Sequence, residues 1–216
     1  MERSKVTHLS VWLVLFGSTI ASAQARISLP DSGLVYSMDS SVVAFVKSTP
    51  GRLVPTGQES VEATELWIAK RDGSKPHRLV TGHPAKDMRF VLAGLHSPAF
   101  SVDGDRVFFL SDAWVTSDAL HVVSVKTLKE HYVAPANSLE VVRGGRYQSC
   151  LLVEQHRYWM AGGSFDWLWL IAEFGRDIGP VADTDSEDFD SRLAEWRRVF
   201  AVSDQPKRNI RCPGTS

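Results

Sequence analysis

Ser164 lies in Gly162-Gly163-Ser164-Phe165-Asp166, the stretch of this chain that comes nearest to a catalytic motif. A nucleophile elbow needs glycine two residues after the serine, because its tight turn leaves no room for a side chain there. Asp166 occupies that position. The elbow's triad also places a histidine after the serine in chain order, and the last histidine here is His156. The stretch therefore reads as a glycine-rich hairpin loop. Six histidines follow the first 25 residues: His77, His83, His96, His121, His131 and His156. None stands at the i, i+2 or i, i+4 spacing of a local metal site, although ligands drawn from separate strands escape this test. Asp103-Gly104-Asp105 starts like a calcium loop but lacks the remaining ligands. No phosphate-cradling glycine loop with Lys-Ser/Thr is present. The sequence thus offers no catalytic, cofactor-binding or metal residues.

Aromatic side chains are the densest chemical feature. Tyr147, Tyr158, Trp159, Phe165, Trp167 and Trp169 fall within one short span. Such residues either fill a core or anchor an interface. As a binding surface the candidates are Tyr147, His156, Tyr158, Trp159, Phe165 and Trp167. Strand alternation puts Trp167 and Trp169 on one face and Leu168 on the other.

The elements that must position these residues form a repeat. Ser37-Met38-Asp39-Ser40-Ser41-Val42-Val43-Ala44-Phe45-Val46 aligns with Ser101-Val102-Asp103-Gly104-Asp105-Arg106-Val107-Phe108-Phe109-Leu110. Glu65-Leu66-Trp67-Ile68-Ala69 aligns with Ala119-Leu120-His121-Val122-Val123, and His77-Arg78-Leu79 with His131-Tyr132-Val133. The first copy then carries an insertion between its second and third strands, around Pro50 to Ala63. A weaker third copy sets Leu168-Trp169-Leu170-Ile171 and Gly175 against Leu66-Trp67-Ile68-Ala69 and Gly73, with Gly144-Gly145 as its turn. Each copy reads as four short strands rich in β-branched and aromatic residues. Asp72-Gly73 and Asp103-Gly104 suggest two-residue type I′ hairpins. Repeated four-stranded units are the pattern of propeller blades; a β-sandwich with accidental self-similarity is the competing architecture.

Ser97-Pro98-Ala99-Phe100-Ser101-Val102-Asp103-Gly104-Asp105-Arg106-Val107-Phe108-Phe109 resembles the repeat of TolB-like propellers. Glu65 to Gly73, followed by Arg78-Leu79-Val80-Thr81, resembles the second half of that repeat. The resemblance covers about residues 31–182. It implies an all-β fold, a partial TolB-like propeller of about three four-stranded blades. The family's periplasmic member adds an α/β domain and closes six blades, which this length does not accommodate, so its partners do not transfer directly.

The remaining segments complete the plan: 1–25 as signal peptide, 26–182 as blades, 183–203 as a C-terminal amphipathic helix and 204–216 as tail. Residues 1–25 join a short charged start, an apolar run from Leu9 to Ile20, and small-x-small sites at Ala21-Ser22-Ala23 and Ala23-Gln24-Ala25. The run is too short to span a bilayer, which takes about 20 residues. The first cysteine is Cys150, which excludes lipid anchoring next to the cleavage site. These features imply a periplasmic or secreted protein with no integral span after cleavage. In that compartment Cys150 and Cys212 either form a disulfide or remain as two thiols. Thr184-x-x-Glu187 suggests a capping box. Phe189, Leu193, Trp196 and Phe200 make one helical face. Three blades leave apolar lateral faces, to be covered by this helix or by head-to-tail association of two chains.

A formal net charge of −1 offers no electrostatic footprint for nucleic acid or an anionic membrane. The expected function is that of an exported, non-catalytic protein-binding or scaffolding module. Its partner would be another periplasmic or envelope protein, or a second copy in a homodimer. Small-ligand or carbohydrate binding through the 156–169 aromatics is the alternative, and a cryptic hydrolase the third reading.

Overall fold

The computed structural model describes residues 25–201 and Cys212; the expected signal peptide lies almost wholly outside these residues. Twelve strands form three antiparallel four-stranded sheets, each in sequence order. The first contains β1 (Val35–Tyr36), β2 (Val42–Pro55), β3 (Ser60–Lys70) and β4 (His77–Thr81). The second contains β5 (His96–Phe100), β6 (Arg106–Ser111), β7 (Asp118–Ser124) and β8 (Glu130–Ala136). The third contains β9 (Ser138–Val141), β10 (Leu151–Tyr158), β11 (Ser164–Ile171) and β12 (Asp177–Asp183), and α1 (Phe189–Ala201) follows. These are three propeller-type blades in an unclosed array. No helix among the described residues is long and apolar enough to cross a membrane.

Alternation along each strand supplies the layers between blades. Ala44, Leu66 and Ile68 of the first sheet meet Val107, Phe109 and Val123 of the second. The opposite face of the second, with Phe108, Leu110 and Leu120, meets Leu151, Val153 and Ile171 of the third.

The two outermost faces are covered by the chain itself. The outer face of the third sheet carries Leu152, Leu168, Leu170 and Val181. Phe189, Leu193, Trp196 and Phe200 of α1 pack onto it, as the apolar stripe predicts. The outer face of the first sheet, Val43, Phe45 and Ala69, is covered by Ile27, Leu29 and Leu34 of the N-terminal segment. A Cβ at Gly73 would lie 2.4 Å from the Ile27 carbonyl oxygen, and one at Gly175 would lie 2.1 Å from that of Val133. Residues 25–34 thus stand against the first blade as the last strand of the second blade stands against the third.

The aligned turns share one hydrogen-bond pattern. Ser37 Oγ donates to Asp39 Oδ1 at 2.7 Å, and Ser101 Oγ to Asp103 Oδ1 at 2.6 Å. The amides of Ser41 and Asp105 each donate to that aspartate at 3.1 Å. These bonds hold the Asp39 carboxyl down at about 2 and lower that of Asp103 against its burial. Gly104 takes φ +73°, and Ser40, its counterpart, takes φ +56°. A left-handed non-glycine residue costs about 1–2 kcal/mol, partly offset by glycine's greater unfolded-state entropy. Ser40→Gly is therefore expected to stabilise the chain by about 0.5–1 kcal/mol, read as a raised denaturant midpoint.

Three expectations are corrected. The Asp-Gly turns are not type I′, because only the glycines have positive φ. Asp72 and Asp103 keep ordinary φ since their carboxylates accept the amides of Ser74 and Asp105. The insertion around Pro50 to Ala63 does not stand between the two strands but lies mostly within them: it lengthens β2 and β3 into one hairpin with an irregularity between Thr49 and Leu53. The capping box is not formed either. Thr184 Oγ1 donates to the Asp166 carbonyl at 2.7 Å, which ties this residue to the sheet, and the helix begins at Phe189.

Candidate binding face

β10 and β11 pair from Leu151↔Ile171 to Tyr158↔Ser164. β9 pairs only with Leu151 to Glu154, and β12 only with Trp167 to Ile171. The hairpin therefore projects past both neighbours, by about 13 Å at the usual rise per residue. At its tip the Trp159 amide donates to the Gly163 carbonyl at 3.0 Å, and Gly162 and Gly163 take φ +96° and +89°. Only glycine adopts two such conformations in succession without strain.

A projecting hairpin has no adjacent layer in which to bury large side chains, so its aromatics pack on one another. Trp159 and Phe165 lie 4.3 Å apart between ring centroids, and Phe165 and Trp167 6.0 Å apart. On the other face His156 packs edge-on against Tyr158 at 5.0 Å, and its Nδ1 meets Asp166 Oδ1 at 2.9 Å. Tyr158, Trp159 and Met160 are 69, 57 and 108% exposed.

At the hairpin's base, a groove of about 270 Å³ runs between the second and third blades, lined by residues including Tyr132, Pro135, Gln155, Arg157 and Asp177. The Arg157 guanidinium carbon lies 3.6 Å from the centre of the Trp169 ring. Its Nη2 is 2.8 Å from Asp177 Oδ1, and its Nε donates to Gln155 Oε1 at 2.9 Å. Gln155 in turn donates to the Pro135 carbonyl of the neighbouring blade at 2.8 Å. Burial pushes the Tyr132 hydroxyl up to about 12.

His156, Tyr158, Trp159 and Phe165 are brought together on the projecting part of the hairpin, and Trp167 stands at its base, where it still pairs with Asp183 of β12. Tyr147 is not among them. It lies before β10, at the end opposite the tip, and packs under α1 at 5.7 Å from Trp196 and 6.2 Å from Phe200. Ser164 begins an ordinary strand opposite Tyr158 rather than a strand-to-helix turn. The structure also gathers His96, Asp112 and Asp118, whose ligand atoms all lie within 4.8 Å of one another. They sit on three different strand ends, a grouping that sequence spacing does not signal.

No protein-family model matches the chain, and no curated protein does. Similar solved structures are propeller-containing chains. The β-propeller domain of the Trilobed protease from Pyrococcus furiosus, described as having an open velcro topology, is 9% identical with a TM-score of 0.43, over 70% of this chain and 43% of that one. TolB from Acinetobacter baumannii is 18% identical with a TM-score of 0.42, over 68% and 31%. The acylaminoacyl peptidase of Pyrococcus horikoshii is 15% identical with a TM-score of 0.40, over 65% and 23%. The match spans less than half of each of these chains. The class that the architecture itself defines is an open array of propeller-type blades, and the TolB-like resemblance of the repeats agrees with it.

Proposed function

We propose that this chain is an exported, non-catalytic protein-binding module whose recognition element is the β10–β11 hairpin. The observation that carries the reading is the projection of residues 156–165 beyond both flanking strands, with Tyr158, Trp159 and Met160 exposed at the end. Contiguous exposed apolar surface marks interaction sites, and aromatic anchors dominate their energetics. Export is supported by the composition of residues 1–25 and by the Cys150–Cys212 disulfide, which suits an oxidising compartment. The partner is accordingly a periplasmic or envelope protein. The non-catalytic reading draws support from Ser164, whose regular strand backbone lacks the elbow's strain.

A second reading rests on the row Trp159, Phe165 and Trp167 beside the polar groove of Gln155, Arg157 and Asp177. Flat rings flanked by charge-assisted donors and acceptors suit a carbohydrate. The two readings separate experimentally. Immobilised full chain and its Trp159→Ala variant are compared against an envelope extract and a panel of oligosaccharides. The expected result is one protein retained at stoichiometric yield, its affinity falling about 30-fold in the variant, which matches the roughly 2 kcal/mol of an aromatic hot spot. Thermal stability should be unchanged, since the tip supports no other element. Retention of a saccharide instead, with no protein, favours the second reading.

A further inference from the structure

We propose that His96, Asp112 and Asp118 form a site for one divalent cation of the borderline class, with Zn²⁺ favoured over Mn²⁺. His96 opens β5, Asp112 directly follows β6, and Asp118 opens β7, so three neighbouring strands of the second blade each contribute one ligand. The His96 Nε2 lies 3.1 Å from Asp118 Oδ2 and 3.9 Å from Asp112 Oδ1. Ligand atoms bound about 2.0–2.2 Å from a shared ion stand roughly 3–4 Å apart, so small side-chain rotations complete the geometry. An imidazole with two carboxylates is a mixed nitrogen and oxygen set, which suits Zn²⁺ and, with more oxygen character, Mn²⁺. The other imidazole nitrogen, Nδ1, meets Ser97 Oγ at 3.0 Å, the kind of outer contact that fixes the ring of a metal-bound histidine.

A simple ion pair does not account for the whole arrangement. Asp118 satisfies His96, yet the Asp112 carboxylate accepts no hydrogen bond among the described residues. Its Oδ2 lies 1.9 Å from the place a Cβ would occupy at Gly94, whose φ is +51°. The carboxylate is thus seated where any other residue at position 94 would displace it. A third negative charge arrives from another blade. The turn at the tip of the β2–β3 hairpin docks on the loop after Asp112: the Gly57 amide donates to the Ala113 carbonyl, and Gln58 Nε2 to that of Val115, each at 2.8 Å. This docking brings the Glu59 carboxylate within electrostatic reach of Asp112. One imidazole among three carboxylates leaves an excess of negative charge that a bound cation neutralises. The three ligands are about a third exposed, which leaves coordination positions open to water or to a group from a partner.

The test is isothermal titration of the full chain, stripped with chelator, against ZnCl₂, MnCl₂ and CaCl₂ near neutral pH. The expected result is one equivalent of Zn²⁺ bound at micromolar or tighter affinity, with Mn²⁺ weaker and Ca²⁺ weaker still. His96→Gln and Asp118→Asn should each lower Zn²⁺ affinity by at least about 10-fold. His83→Gln and His131→Gln, remote from the cluster in the sequence, should leave it unchanged. If His96→Gln does not fold, the near-isosteric Asp112→Asn carries the test, with circular dichroism of the metal-free chain as its check. The proposal is overturned if Zn²⁺ binds only in the millimolar range, or if the affinity persists in the Asp112→Asn and Asp118→Asn variants.

Discussion

Deleting residues 184–216 is expected to leave a chain that aggregates on expression or unfolds far below the full-length protein. The helix buries Phe200 and partly buries Phe189, Leu193 and Trp196 against the third sheet. Full burial of such side chains contributes about 1.5–3 kcal/mol each. Even at partial burial the sum approaches the whole net stability of a typical domain, about 5–15 kcal/mol. The deletion also uncovers much of the apolar sheet face of Leu152, Leu168, Leu170 and Val181, leaving it chiefly the cover of Tyr147. Thermal melts and light scattering of the truncated chain check this. A soluble monomer melting within a few degrees of the full chain would show that α1 is not a cap.

Removing the Cys150–Cys212 disulfide should be nearly as costly. The bridge closes a loop spanning a sequence separation of 62, with both cysteines buried in the layer beneath α1. The chain-entropy model gives about 4 kcal/mol for a loop of this length. For a domain of this size that is a fall in melting temperature of about 8–16 °C. Cys212→Ser, which keeps the shape of the side chain, is the variant to measure, alongside the wild type under reducing conditions. The two should agree. A melt unchanged by reductant would place the stability of the third blade elsewhere.

The strands were legible because their turn chemistry repeats. The serine that donates to an aspartate two residues on recurs at Ser37 and Ser101, and apolar alternation follows each turn. The face of α1 was legible for the same reason, as a period of 3.6 survives without any tertiary information. Its start was not, because Thr184 offered two bonds to its hydroxyl and the sheet carbonyl of Asp166 won. The third copy has Gly144-Gly145 as its turn, in place of Asp-Gly. It is also a clearance site, which the sequence does not signal: a Cβ at Gly145 would lie 2.5 Å from the Val199 carbonyl oxygen at the end of α1. The role of residues 25–34 was hidden because Ile27 and Leu29 make too short an alternation to stand out, and their placement depends on main-chain contact with Gly73. In the candidate site, Tyr147 was grouped with the tip aromatics by nearness in sequence, whereas an extended β10 separates the two ends of that cluster. His96, Asp112 and Asp118 were missed because sheet pairing, not spacing, unites them.

The central claim is that both outer faces of the three-blade array are covered by segments of the same chain. A propeller normally removes its blade faces by closure. Here Ile27, Leu29 and Leu34 cover one face and α1 the other, so no second copy is required. Size-exclusion chromatography with multi-angle light scattering tests this most directly, run across a broad range of protein concentration. The account predicts a single species no heavier than one chain, 24.0 kDa for the full sequence, at every concentration. A stable species of twice that mass, persisting on dilution, would contradict it and show that the blades close with a second chain.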